Sequence, residues 1–371
     1  MKKLGLYLHI PFCIRKCFYC DFCSYPGKGN DAMAVYVREL CRRLREFAPR
    51  AKGYEVDTVY FGGGTPTLLS ASCMEELMTA IRESYALLPD AEITCECNPA
   101  SIGKEGLAAF CSLGINRLSI GLQSAHDGEL KALGRVHDFK DFCRTYEDAR
   151  LVGFDNISVD LMYGIPNQTL ASFGASLDTV FGMEPEHLSS YGLKIEEGTR
   201  FDAVRDTLLL PDEDTEFEMY RMLCDRAEET GLSHYEISNF AKVGRESRHN
   251  LRYWRGEDYV GFGVAAYSCF EDERFGNSRD LAAFLRGEDI TAERELLGTE
   301  DLREEYIMLR LRLGEGLSCE DYANRFGEDF MASHPAANRF LEGGFLKKAE
   351  DRIAFTTKGF FVSNSILSEL I

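Results

Sequence analysis

The chain has 371 residues, 45% of them apolar, which suits two or three folded domains with a sizeable core and not a disordered chain. Its 42 basic residues face 61 acidic ones, for a formal net charge of -19, and this weighs against broad binding to nucleic-acid phosphates, so no nucleic-acid partner is expected. No window approaches the roughly 18 apolar residues of a membrane helix, and the opening Met1-Lys2-Lys3-Leu4-Gly5 leads to His9, Pro11 and Cys13 with no h-region between. A cytoplasmic chain with no transmembrane segment is therefore expected.

The first two thirds alternate strand and helix. Strands are predicted at 4–12, 56–62, 92–97, 117–122, 157–163 and 188–194. Helical patterns fall between them at 32–48, 70–88, 104–113, 138–152 and 169–182. Strict alternation means βαβ units and a parallel sheet. Six such units predict an α/β fold with a partial (β/α)6 TIM-like barrel, in which chemistry sits at the carboxyl ends of strands. The informative residues fall at those ends: the first cysteines, Gly62–Thr65, Glu96, Gln123 and Asp160.

A long acidic helix is expected at 212–230, and residues 234–278 are aromatic and glycine-rich without a clean period. From about 296 the pattern is three helices (300–313, 318–326, 333–343), a β-like pair near Phe345–Phe355 and a last helix, which suggests a smaller winged-helix-like domain. The expected division is a barrel over 1–235, an aromatic segment over 236–295 packing on it, and a C-terminal helical domain over 296–371. The charged stretch Arg286–Glu293 is the expected linker.

Thirteen cysteines are many for a chain without a secretion signal, and an odd count argues against a complete disulfide framework. Cys41, Cys73, Cys111, Cys143, Cys224, Cys269 and Cys319 fall mostly in helical patterns, where small core residues are expected. Cys13, Cys17 and Cys20 differ, with the spacing C-x3-C-x2-C. Thiolates are soft donors suited to iron–sulfur clusters and zinc. A cubane cluster ordinarily takes four Cys ligands, and three leave one iron open to another ligand. Zinc would need a fourth ligand, for which Cys23 or His9 could serve.

The segment Tyr7-Leu-His9-Ile-Pro11-Phe-Cys13-Ile-Arg-Lys-Cys17-Phe-Tyr19-Cys20-Asp-Phe22 resembles the radical S-adenosylmethionine superfamily. Gly62-Gly63-Gly64-Thr65-Pro66, Glu96-Cys97-Asn98-Pro99, Ser119-Ile-Gly-Leu-Gln123, Gly134-Arg135-Val-His137 and Asp160-Leu-Met-Tyr-Gly164 follow in order, so the likeness covers most of the chain. It is closest to the branch that holds oxygen-independent coproporphyrinogen III oxidase and its heme-chaperone relatives. The resemblance implies a [4Fe–4S] cluster on Cys13, Cys17 and Cys20. It implies S-adenosylmethionine on the open iron, held with help from Gly63, Gly64, Thr65, Glu96, Gln123, Arg135 and Asp160. Tyr7, Tyr19 and Phe22 are the expected aromatic neighbours of cluster and cofactor. When such a cofactor is cleaved, the superfamily's products are methionine and a 5′-deoxyadenosyl radical.

Within the branch, the oxidase has a fourth cysteine two positions after the third, where this chain has Phe22. The oxidase also has a substantial N-terminal extension, whereas 12 residues precede Cys13 here. His249-Asn250-Leu-Arg-Tyr253-Trp254 matches the H-N-x-x-Y-W motif of the chaperones. Neutral imidazole is a common heme ligand, so His249 is the candidate axial ligand, with hydrogen bonding in an aromatic corner as the alternative. The resemblance thus implies a chaperone that binds heme and passes it to acceptor proteins, and that forms a homodimer. The other reading is a radical enzyme that decarboxylates porphyrinogen propionates.

Overall fold

The computed structural model describes all residues, 1–371. Six parallel strands form the centre: β1 (Lys2–Ile10), β2 (Tyr54–Gly63), β3 (Leu87–Cys97), β4 (Arg117–Gln123), β5 (Ile157–Tyr163) and β6 (His187–Gly192), each paired in parallel with the next. The covering helices are α1 (Asn30–Phe47), α2 (Ala71–Ser84), α3 (Lys104–Ser112), α4 (Asp127–Ala132), α5 (Phe139–Val152), α6 (Leu170–Gly182) and α7 (Glu213–Glu229). Their apolar faces, such as Tyr36, Val37, Leu40 and Leu44 of α1, pack on outward strand residues such as Leu4, Leu6 and Leu8, all fully buried. This amphipathic fit is what the helical period encodes.

The sheet does not stop at six strands. β7 (Ser233–Glu236) and β8 (Asn239–Ala241) extend it antiparallel beyond β6. On the other side β9 (Tyr259–Phe262) runs parallel to β1, and β10 (Tyr267–Phe270), β11 (Glu273–Asn277) and β12 (Thr291–Leu296) follow antiparallel. The twelve strands form one open order from β12 to β7. Residues 234–278, which have no readable period, therefore supply five short strands and α8 (Arg248–Arg255), and the short α9 (Leu281–Leu285) follows. The expected linker is also different: Ile290 is buried, its carbonyl accepts from the Ser278 N–H, and β12 begins at Thr291.

Inward residues of neighbouring strands form layers through the register. Thr58 of β2 lies beside Glu92 of β3, Thr94 beside Arg117, Ser119 beside Ser158, and Ser158 beside His187. The barrel interior is thus polar, while the core lies between sheet and helices. Beyond the sheet, α10 (Thr299–Leu311), β13 (Leu317–Ser318), α11 (Cys319–Phe326), α12 (Phe330–Ser333) and α13 (Ala336–Glu342) precede the hairpin β14 (Leu346–Ala349)–β15 (Arg352–Phe355) and two last helices. β13, β15 and β14 make a three-stranded sheet, the helices-plus-wing arrangement expected from the sequence. The expected helix 333–343 begins only after Pro335, as α13, and the short α12 precedes it.

Candidate functional site

A cavity of about 460 Å³ opens between the strand ends and the cysteine loop and continues down the barrel. Cys13, Cys17, Tyr19, Cys20, Gly63, Gly64, Thr65, Glu96, Gln123, Arg135 and Asp160 all line it, so the sequence candidates from six separate motifs meet in one place.

The cysteine loop leaves β1 at Pro11. It is clamped at its far side by the Gly134-Arg135 segment: Arg15 Nη2 donates to the carbonyls of Gly134 (2.9 Å) and Arg135 (2.8 Å), and the Phe18 N–H donates to Leu133 O (3.0 Å). Gly134 has φ 73°, and a Cβ there would stand 2.6 Å from the Phe18 ring. Glycine is required on both counts. Thr65 Oγ1 reaches Cys13 Sγ at 3.6 Å, and Arg135 Nη1 reaches Cys17 Sγ at 3.6 Å. The three thiols are free and half-buried. Burial raises the Cys20 thiol to about 11 and raises Cys13 in the same sense. No three His, Cys, Asp or Glu side chains converge as ligands to a single ion do.

The glycine run ends β2. Gly63 has φ 112°, and its missing side chain leaves room for the His9 ring, 2.5 Å from where Cβ would be; a Cβ on Gly64 would meet Phe12 O at 2.6 Å. The Gly63 N–H donates to Glu96 Oε2 (2.9 Å) and the Tyr60 hydroxyl donates to Glu96 Oε1 (3.0 Å). Burial nevertheless raises the Glu96 carboxyl to about 7, the two donors offsetting part of it. Asp160 accepts from Ser119 Oγ (2.9 and 3.1 Å) and is raised by burial as well. Gln123 sits at a register shift between β4 and β5 with φ 74°, a conformation unusual for a side-chain-bearing residue and a common mark of functional strand ends. Arg135 Nη2 donates to Asn98 Oδ1 and Gly121 O, both at 2.8 Å, and its Nε has no partner.

The aromatic candidates divide between the cavity and the barrel interior. Tyr19 lines the cavity and packs on the small cluster of Leu133, Met162 and Phe201. Phe22 stands at the rim, 62% exposed. Tyr7 does not line the cavity: its hydroxyl is 3.0 Å from His9 Nδ1, and its ring lies among Tyr60, His9 and His249 inside the barrel. His9 Nε2 lies 2.8 Å from Cys23 O, and Cys23 Sγ donates to the Tyr25 hydroxyl (3.4 Å), so both candidate fourth ligands are hydrogen-bonded within the protein.

His249 departs most from expectation. It is fully buried in α8, with Nδ1 at 2.9 Å from Thr58 Oγ1 and Nε2 at 2.8 Å from the Tyr253 hydroxyl. Burial holds it neutral, lowered to about 3. Both ring nitrogens are taken, so neither is open to a heme iron as the ring is packed. α8 closes the floor of the barrel. The Glu92 carboxylate accepts the first N–H groups of the helix, from Arg248 (3.1 Å) and His249 (3.2 Å), where helix N-termini favour negative charge. Arg252, 2% exposed, pairs with Asp57 and occupies the space that Gly5 leaves free. The H-N-x-x-Y-W motif therefore builds a floor, and the alternative reading of His249, a hydrogen-bonded aromatic corner, is what the structure contains.

Residues 7–180 match the family model of the radical SAM superfamily, and residues 297–362 match that of the HemN C-terminal domain. The chain is 34% identical over 376 residues to the heme chaperone HemW of Bacillus subtilis (strain 168), covering 98% of each chain. It is also 34% identical over 372 residues to the heme chaperone HemW of Escherichia coli (strain K12), covering 99% of this chain and 98% of that one. The chain belongs to the HemW family of radical SAM proteins. Its fold also matches the solved structure of the coproporphyrinogen III oxidase HemN from Escherichia coli, with a TM-score of 0.87 at 24% identity, over 100% of this chain and 90% of that one. That likeness speaks for the fold alone. Membership of the HemW family carries with it the radical SAM cluster and cofactor as a class, and the free thiols, the glycine cradle and the unpartnered Arg135 Nε at the cavity fit both groups. No helix is long and apolar enough to cross a membrane.

Proposed function

We propose that this chain binds heme and hands it to acceptor proteins, with a [4Fe–4S] cluster on Cys13, Cys17 and Cys20 and with S-adenosylmethionine in the cavity beside it. The observation that carries the reading is 34% identity to heme chaperones over nearly the whole length of both chains. When bound, the cluster and cofactor supply a site for one-electron chemistry on a sulfonium carbon–sulfur bond. The chain's own residues do the holding. Gly63 and Gly64 let the backbone approach closely, Glu96 and Asp160 accept from ammonium or ribose hydroxyl donors, Gln123 offers an amide, and Arg135 offers a fork for a carboxylate.

Heme is cargo in this reading, and no histidine lines the cavity. The rim instead exposes apolar side chains: Ile14 at 55% and Phe22 at 62% on the cysteine loop, with Val136 at 38% beside Arg135. A flat apolar macrocycle would find its cover there. Oxidase activity is the second reading, supported by the match of residues 297–362 to the HemN C-terminal domain; Phe22 in place of the oxidase's fourth cysteine counts against it. The deciding experiment uses one anaerobically reconstituted sample. Hemin is titrated and its absorbance followed, and coproporphyrinogen III is offered with reductant and S-adenosylmethionine. Stoichiometric heme binding with no protoporphyrinogen formed is the expected result; repeated turnover with no heme retained would replace the chaperone reading by the oxidase.

A further inference from the structure

β4 runs down the whole cavity. Arg117, Ser119, Gly121 and Gln123, its alternate residues, all line it, as a two-residue period requires. Gln123 is at the cysteine end. Arg117 is six residues lower, about 20 Å at roughly 3.3 Å per residue, and so lies near the floor.

Arg117 is 2% exposed, among the largest fully buried side chains of the molecule. Its guanidinium pairs with no carboxylate and donates no hydrogen bond to protein, and Nε is both buried and unpartnered. This is not for lack of carboxylates nearby, because each interior acid is committed elsewhere. Glu92 caps α8 through the Arg248 and His249 N–H groups. Glu96 holds Gly63 and Tyr60. Asp160 is bonded to Ser119 and Ser158. Glu236 is bonded to Asn239 and Ser238. Asp160 feels the Arg117 charge without pairing with it directly, and a buried charge with no bonded partner is among the most costly features a fold can carry. On the cavity wall beside it, Asn250 of α8 presents a side-chain amide that makes no hydrogen bond within the protein.

We propose that Arg117 and Asn250 form an anion subsite at the floor of the barrel that takes the carboxylate of a second ligand, distinct from the cofactor held at the cysteine end. The planar guanidinium matches a carboxylate in a forked, two-bond geometry. The Asn250 amide donates to the same group. One negative charge balances one buried cation; a dianion would leave surplus charge next to Asp160, which lines the same cavity.

The test uses the full-length, cluster-reconstituted protein saturated with S-adenosylmethionine and free of heme, so its outcome does not depend on the chaperone reading. Ligand-observed NMR compares acetate, its neutral isostere acetamide, and inorganic phosphate. Acetate is expected to bind, with acetamide and phosphate each at least about ten-fold weaker, the ratio a charge-assisted forked pair supplies. Arg117→Met is expected to abolish acetate binding, Arg117→Lys to retain it in weakened form, and Asn250→Leu to weaken it. The melting temperature of the cluster-free Arg117→Met protein separates a ligand site from a structural role: removing an unpaired buried cation should leave it unchanged or raise it. Equal binding of acetate and acetamide by the unmodified protein would overturn the proposal, as would phosphate binding more tightly than acetate, acetate binding that survives Arg117→Met, or a marked fall in the melting temperature of that variant.

Discussion

The two ends of the barrel are built on opposite principles. At the floor, α8 is over-determined: Glu92 caps it, His249 is bonded at both nitrogens, and Arg252 is sealed between Asp57 and the backbone of Lys3 and Asp258. At the mouth, the cysteine loop is held by its edges, while its thiols are half-buried and free and Arg135 Nε lacks a partner. The α8 layer is bonded mostly within the protein, with Arg252 Nε its exception, whereas the unpartnered Nε atoms of Arg135 at the mouth and Arg117 above α8 belong to residues that line the cavity. Family motifs occur at both ends, so the presence of a motif does not by itself separate a binding residue from a scaffold residue; the saturation of its hydrogen bonds does.

This contrast is broken most severely at the mouth. Replacing Cys13, Cys17 or Cys20 singly with Ala is expected to abolish the brown absorbance and cluster iron after anaerobic reconstitution. The unfolding free energy should stay within about 1 kcal/mol of the parent, because these side chains are only half-buried. Full iron content in all three variants would remove them as ligands.

The floor should respond the other way. Arg252→Ala leaves the partly buried Asp57 with only the longer contact to Arg248 (3.8 Å) and empties the space beside Gly5, and loss of about 3 kcal/mol is expected in urea unfolding. His249→Ala removes two hydrogen bonds and a buried ring, with about 2–3 kcal/mol expected. Both variants should keep cluster iron, and His249→Ala should keep heme affinity. A collapse of heme binding in a folded His249→Ala protein would reinstate that ring as the axial ligand.

Proton linkage gives a smaller and more local contrast. Glu96 at the mouth and Glu236 beside the C-terminal domain are both raised by burial to about 7 from an ordinary value of 4.5. Such a carboxyl binds its proton more tightly folded than unfolded. Its stabilising contribution is full below the unfolded value and is lost as the pH rises through the folded value. Denaturant midpoints of the cofactor-free protein should therefore fall between pH 4.5 and about 7 and level off above. Glu96→Gln and Glu236→Gln should each flatten the profile. S-adenosylmethionine should flatten the Glu96 share only, since Glu96 alone of the two faces the cavity. A profile that both substitutions leave unchanged would mean that neither carboxyl is desolvated.

Legibility in the sequence followed the same division. The six parallel strands and their helices were readable because each strand is a short apolar run bounded by a helical period. The cysteine loop was readable because thiols at that spacing have few other uses. Three features were not. The helix expected to reach residue 88 stops at Ser84, because Leu87 and Leu88 are apolar and a run that short does not distinguish helix from strand; Leu87 pairs with Val56 in the sheet instead. The six-residue α4 is too short to show a period. The strands between residues 233 and 296 are three to six residues long, too short to show a period, and β9 pairs with β1 from the other end of the chain. His249 was recognisable as part of a motif, but its saturation by Thr58, 191 positions earlier in the chain, is a tertiary fact.

The smallest expected effect bears on the division between chaperone and oxidase. Phe22 is 62% exposed at the rim and its backbone carbonyl is held by Lys16 Nζ at 3.0 Å. Phe22→Cys removes an exposed ring without disturbing that contact, so stability should change by no more than about 0.5 kcal/mol. It restores the oxidase spacing on an otherwise unchanged chain. If the fourth cysteine were what makes an oxidase, turnover of coproporphyrinogen III would rise in this variant. The expected outcome is no turnover and a modest loss of heme affinity, because an apolar rim residue has been exchanged for a small thiol while the three cluster cysteines remain in place. Turnover in Phe22→Cys would move the boundary between the two activities onto a single rim residue, whereas unchanged heme affinity would place the cargo on the apolar surface around Ile14 and Val136 and away from Phe22.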